Sequence, residues 1–267
     1  MKELSLQEIK QVELEILKEF HSFCVKNNIR YFISHGTLLG AIRYKGFIPW
    51  DDDLDVLVPR DDYERLLQIF QDNERYMLVA FEKNREYAFP YAKLCDMTTQ
   101  KVEGGYDNGM KLGLDIDVFP LDHWDNDIKK AKREVKRQQK NMFRLSLTKL
   151  KKPDSHNSIK RFVKGIAMAL YKLQGSVYYV EKIIQGANKA KQKGSRYMGG
   201  KAWNVYGERD ILPVEVFAEA IELEFEGQTF FAPVGYDTFL SSLYGDYLPE
   251  PPVEKRKTHH SFKAYRL

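Results

Sequence analysis

The sequence predicts an α/β (α+β) fold, a mixed sheet flanked by helices, with a basic helical insertion and a mixed C-terminal region behind it. Three observations lead there. Up to Trp124, four or five short apolar runs alternate with segments of helical period, the signature of interleaved strands and helices. Between Lys129 and Lys172, fifteen Lys or Arg face two acids, Glu134 and Asp154, in a stretch poor in breakers. From Gly194 onward Gly, Tyr and Pro are frequent and short strand patterns return. These shifts divide the chain into a catalytic unit over 1–126, a basic helical region over 127–193 and a mixed region over 194–267 that completes the site.

The elements follow in order. Ser5–Leu–Gln–Glu8 forms a capping box, after which Ile9, Val12, Ile16, Phe20 and Phe23 recur at helical spacing to about Asn27. "IRYFISHG" is a short strand reaching Gly36, and "TLLGAIRYKG" a short helix closed by Gly46. "DLDVLV" is a strand ended by Pro59, and "RDDYERLLQIFQ" a helix capped by Asp61 or Asp62. "YMLVAF", "FPYAKLCD" and "KLGLDIDVFPLD" are further strands, the last stopped by its proline. Short strands and loops around "ILPVEVF" and "IELEFEGQTFFAPV" occupy the last third.

With 267 residues the chain is one large domain or two small ones, at roughly 150 residues per domain. Apolar residues at 43% and charged residues at 30% are the balance of a globular protein with a sizeable core. Cys24 and Cys95 sit in apolar patterns and read as buried free thiols of a reducing compartment. Without a leader pattern or a spanning apolar run, the expected location is cytoplasmic, with the inner face of the cell membrane as the alternative.

The acids carry the chemistry. Side chains alternate faces along a strand, so Asp53 and Asp55 point one way while Leu54 and Val56 enter the core. Asp115 and Asp117 repeat the pattern on a second strand. Side by side, these carboxylates would repel one another and raise their own pKa values. A divalent cation removes the conflict, and an all-oxygen set favours Mg²⁺, with Mn²⁺ as the alternative. A solvated strand edge is the plain account of one Asp-x-Asp pair, and two pairs on two strands weigh against it. "SHGTLLG", Ser34 to Gly40, adds a strand end, a glycine, a hydroxyl residue and a helix start, suited to holding phosphate on free N–H groups. Together these features are what transfer from a nucleotide phosphate requires.

"HGTLLGAIRYKGFIPWDDDLDVLV" followed by "LDIDVFPLD" closely resembles the LicD family, phosphocholine transferases of bacterial surface glycans with a nucleotidyltransferase-like fold, related to the fukutin group. The likeness extends to "MGGKAWNVYGERDILPVEVF" and "YGDYLPEPPVEKRKTHH", and so covers most of the chain. It implies that Asp53, Asp55 and Asp117 are catalytic and hold the metal, with Asp51 and Asp115 assisting from the same strand faces. It implies CDP-choline as donor, a sugar hydroxyl of a teichoic acid or lipopolysaccharide precursor as acceptor, Asp117 as general base and CMP as leaving group. The head group is left open, since ethanolamine or a polyol phosphate would suit related enzymes. A glycosyltransferase using Asp-x-Asp with a nucleotide sugar is the second enzymatic reading, and an inactive scaffold the third.

His35, Gly36 and Thr37 of the glycine turn are expected at the donor phosphates. Trp50, Trp203, Tyr206 and Trp124 are candidate aromatic faces for a quaternary ammonium, with ordinary packing as the alternative. Lys93 and Arg43 are candidates for phosphate, as are Lys255, Arg256 and His259 if the C-terminal segment folds back over the site. Glu208 is a candidate for the cation or a second metal.

Phe162, Val163, Ile166, Ala169, Leu170 and Leu173 form one stripe between Lys160, Arg161, Lys164 and Lys172. This fits a basic helix on a membrane surface, serving a lipid-linked glycan acceptor, and equally a helix docked on the catalytic unit. The basic stretch lacks interleaved aromatics and any helix-turn-helix or zinc spacing, so nucleic acid is not an expected partner.

Overall fold

The computed structural model describes residues 1–105, 109–153, 157–188, 194–258 and 262–267. In chain order the elements are β1 (Lys2–Glu3), α1 (Leu6–Lys26), β2 (Phe32–Ile33), α2 (His35–Tyr44), β3 (Asp55–Pro59), α3 (Arg60–Ile69), β4 (Tyr76–Val79), β5 (Ala92–Glu103) and β6 (Leu112–His123). Then follow α4 (Ile128–Lys149), α5 (Ser158–Gln174), α6 (Ser176–Asn188), β7 (Tyr197–Gly199), β8 (Leu212–Pro213), β9 (Ala220–Phe225), β10 (Gln228–Pro233), α7 (Tyr236–Tyr244) and β11 (Phe262–Arg266). The fold is the expected α+β class, a mixed sheet flanked by helices.

The sheet runs in the order β1-β11-β5-β6-β3-β2. β4 pairs with the first half of β5 and β11 with the second, while β7 extends β6 and carries β8. β3 and β6 are parallel, and the other pairings are antiparallel. The last described strand thus returns to the N-terminal half and lies between β1 and β5.

The capping box forms as expected: Ser5 accepts from the Glu8 N–H while Glu8 accepts from the Ser5 N–H. The helix it starts buries Ile9, Val12, Ile16, Leu17, Phe20 and Cys24 in the main core. A second core joins α4 and α6 through Met142, Leu145, Tyr179, Val180 and Ile183. Both cysteines are buried and free.

Several boundaries differ from the sequence expectation, each for a local reason. α2 begins at His35 rather than Thr37, and it ends at Lys45 in the left-handed region at φ 56° rather than at Gly46. A close approach follows at Gly40: a Cβ there would lie 2.4 Å from the Gly46 carbonyl oxygen, so the second glycine of "HGTLLG" lets the helix meet the loop after it. Pro59 caps α3, with Asp61 and Asp62 inside its first turn, where their charge suits the helix N-terminus. β3 starts at Asp55, which leaves Asp53 just ahead of the strand.

Pro120 does not stop β6. β5 pairs with β6 as far as Val118 and β7 takes over from Asp122, so on that side Pro120 falls in the gap and no ladder loses a donor. The Arg60 guanidinium grips Asp122 through two bonds of 2.7 and 2.9 Å, both side chains buried. This pair ties the start of α3 to the end of β6 and fixes the parallel β3/β6 unit.

Candidate active site

Parallel pairing sets Asp55 beside Asp117 in register, Cα partner to Cα partner. Partners in a parallel ladder present their side chains to the same face, so the two carboxylates share one face of the sheet. The Asp117 N–H donates to the Leu54 carbonyl at 2.9 Å, and the Asp55 N–H donates to Thr37 Oγ1 at 2.8 Å. Thr37 is buried and therefore holds the start of β3 rather than a ligand, which corrects its expected place at the phosphates.

Both aspartates line a cleft of about 1260 Å³ together with Asp51 and Asp53. His35, Gly36, Arg43, Trp50, Trp203, Tyr206 and Lys255 also line it, so most sequence candidates converge on one cavity. Gly36 is packed close: a Cβ there would meet Asp51 Oδ2 at 3.0 Å. A smaller cavity of about 280 Å³ shares Asp53, Asp117 and Trp203 with the cleft and has Lys93, Lys101 and Asp115 in its wall.

The electrostatics separate the acids into two roles. Burial, and then the charges of Asp53, Asp117 and Asp51, raise the Asp55 pKa well above the ordinary carboxylate value. Asp117 is also raised, chiefly by burial, which outweighs the Lys93 ammonium beside it. For Asp115 burial acts the same way, but Lys101 and Lys93 together overcome it and hold the group low. Lys93 Nζ donates to Asp115 Oδ1 at 2.5 Å, and Lys101 Nζ to Asp115 Oδ2 at 3.2 Å. Asp115 is thus the shared anion of two lysines, and Lys93 neutralises carboxylates, where phosphate was the expectation.

The donor set suits a hard divalent cation. Its members are carboxylate oxygens, they crowd one wall, and their mutual repulsion is written in the raised Asp55 pKa. Among the described residues, no group of three or more His, Cys, Asp or Glu side chains is so arranged that it could hold a metal ion. Asp51, Asp53, Asp55 and Asp117 are the carboxylates that line the cleft.

Other expected residues find different places. His35 adopts a left-handed backbone at φ 46°, stacks on Tyr206 and contacts Ser34 Oγ at 3.0 Å. Burial lowers its pKa to about 4, so at neutral pH it is an uncharged ring and not a phosphate cation. Arg43 donates to the Pro249 carbonyl at 2.7 Å. Arg256 bonds Glu250 at 2.6 Å and lies over the Trp50 ring at 5.5 Å. Glu208 forms an exposed ion pair with Lys132 of α4 at 2.8 Å, away from the cleft wall, which corrects its expected role. Trp124 is fully buried, donates to the Asp210 carbonyl and faces Lys201, so packing explains it. His259 lies outside the described residues. The C-terminal segment does fold back: Lys255 lines the cleft and Thr258 donates to Asp52 at 2.8 Å.

Some contributors were not foreseen. Tyr244 of α7 lines the cleft and bonds Tyr206 through their hydroxyls at 2.8 Å. Tyr91 and Phe89 join Trp203 around the smaller cavity, with ring centroids 5.3 to 6.1 Å apart. Glu13 of α1 is fully buried with neither carboxylate oxygen hydrogen-bonded, and burial raises its pKa well above normal. Its only sequence signal was an acid at a position where the α1 stripe should be apolar.

Residues 28–156 match the family described as LicD/FKTN/FKRP, nucleotidyltransferase domain. Over the full length of both chains the protein is 34% identical to the lipopolysaccharide cholinephosphotransferase LicD of Haemophilus influenzae. Shorter matches, 46% and 43% identical over 61 and 70 residues, link it to uncharacterised proteins of Rickettsia prowazekii and Rickettsia typhi. Each covers 23% of the relative and about a quarter of this chain.

Proposed function

The chain belongs to the LicD family, and on that footing we propose that it moves phosphocholine from CDP-choline to a sugar hydroxyl of a lipid-linked surface-glycan precursor, releasing CMP. The relative matched over its full length is a lipopolysaccharide cholinephosphotransferase, which favours a lipopolysaccharide precursor over teichoic acid as acceptor. The observation that carries the reading is the in-register pair Asp55 and Asp117 at the wall of a cleft large enough for a nucleotide.

In this reading Asp53, Asp55 and Asp117 would hold Mg²⁺, with Asp51 assisting. When bound, the cation would neutralise the carboxylates and polarise the phosphoryl oxygens. The acceptor hydroxyl attacks the phosphorus that bears choline. One P–O bond forms to the sugar, the P–O bond to CMP breaks, and the hydroxyl proton passes to Asp117. Asp117 is the candidate acceptor by position, in register with Asp55 at the cleft wall. Lys93, bonded to Asp117 Oδ1 at 2.5 Å, fixes that carboxylate's orientation. Trp50, Trp203 and Tyr206 offer ring faces to a quaternary ammonium, and Lys255 lies where a diphosphate would reach the cleft wall.

The test incubates the protein with Mg²⁺, an acceptor and CDP-choline, CDP-ethanolamine or a CDP-polyol in turn, following nucleotide release. CMP release with CDP-choline is the expected result. Release with another head group alone reassigns the donor, and release of a nucleoside diphosphate from a nucleotide sugar would instead mark a glycosyltransferase.

A further inference from the structure

Helix α5 is built inside out. Ile159, Phe162, Val163, Ile166, Leu170 and Leu173 recur three and four residues apart and so share one face. A helix of a water-soluble domain turns such a face to the core. Here those six side chains are between 48% and 85% exposed, and the buried residue of the helix is Met168 on the opposite side. The packed-helix alternative required the apolar stripe to meet the catalytic unit, and it points away.

The surroundings specify what meets this face. α5 carries Lys160, Arg161, Lys164 and Lys172 and no acid. Lys151 and Lys152, just before it, are exposed as well. Lys160 flanks the stripe, while Arg161, Lys164 and Lys172 lie round the helix on the side of Met168, so an anionic lipid surface that takes up the stripe meets Lys160 at its edge and a helix whose polar face is basic throughout. At 17 residues with four cations the helix is suited to lie in the plane of the interface rather than to cross it, and no helix among the described residues is long and apolar enough to cross a membrane.

We infer that α5 is a membrane-docking helix, its Ile159–Leu173 stripe entering the headgroup region of an anionic bilayer while Lys160 at the edge of the stripe meets lipid phosphates. The inference rests on this helix and not on the donor chemistry. It supplies a lipid-linked acceptor with a reason to meet the cleft at the bilayer surface.

The test is co-flotation of the full chain with vesicles containing phosphatidylglycerol, against vesicles of phosphatidylcholine alone, with no nucleotide present. The wild type floats with the anionic vesicles. Raising NaCl to about 0.5 M weakens the association without abolishing it, because screening acts on the charges alone. Phe162→Glu with Leu170→Glu lowers partitioning by at least about tenfold. Both residues are exposed, so the double variant keeps the circular dichroism and melting temperature of the wild type, and Lys160→Glu gives a milder loss. Failure of the wild type to float, or equal flotation of the double variant, overturns the inference. So does a homodimer by light scattering that the double variant dissolves while lipid binding is absent.

Discussion

Lys93 stands between two aspartates of the neighbouring strand, donating to Asp115 Oδ1 and to Asp117 Oδ1 at 2.5 Å each. Asp115 has a second cation in Lys101, whereas Asp117 has Asp55 as its strand partner. One acid is thereby committed to structure and the other is poised between a lysine and a crowd of like charges.

Lys93→Met removes the ammonium from a buried cluster and leaves Asp117 beside Asp55 without its cation. Loss of one partner of such a pair costs about 3 kcal/mol. Mg²⁺ raises the melting temperature of this variant more than that of the wild type, because a second cation can take over the neutralisation. Thermal unfolding with and without Mg²⁺ reads the difference, and equal shifts would separate the lysine from the metal site.

Asp55→Asn relieves repulsion, since burial and three neighbouring aspartates already raise that group. The variant melts no lower than the wild type in the absence of metal, gains little from Mg²⁺, and transfers at about a thousandth of the normal rate or less. A stable variant with near-normal CMP release would remove Asp55 from the chemistry.

Asp210 gives a pH signature. Its carboxylate is buried, accepts from the Gly200 N–H and from Asn204, and burial raises its pKa from 3.8 to about 7. In this window the unfolded chain is ionised while the folded one holds the proton, so stability falls as pH rises from about 4 to 7. Asp210→Asn cannot ionise, so its stability relative to wild type grows by about 1.4 kcal/mol per pH unit across that window and levels off above it. Denaturant unfolding at several pH values reads this, and a constant offset would place the charge elsewhere.

Arg60 and Asp122 form the buried clamp beneath the parallel strands. Asp122→Ala strands a buried guanidinium and costs about 3 to 5 kcal/mol, while Arg60→Leu with Asp122→Leu loses less than the two single changes summed. Chemical denaturation of the single and double variants measures the coupling.

The sequence by itself determined the α+β class, the capped first helix and the strands that begin at Asp55 and run through Asp115 and Asp117, because each is written in local periodicity and local capping chemistry. Short motifs also marked Asp53, Asp55 and Asp117 as candidates, while the meeting of Asp55 with Asp117 came from the pairing of two distant strands. Tertiary structure alone decided which side chains of distant segments meet: Asp115 went to two lysines of β5, Glu208 to α4, and Tyr244, Tyr91 and Phe89 to the cavities. Strand order and long-range pairing create those encounters, and no window of sequence contains them. It also decided that the stripe of α5 faces outward, since periodicity defines an apolar face but only packing determines what lies against it.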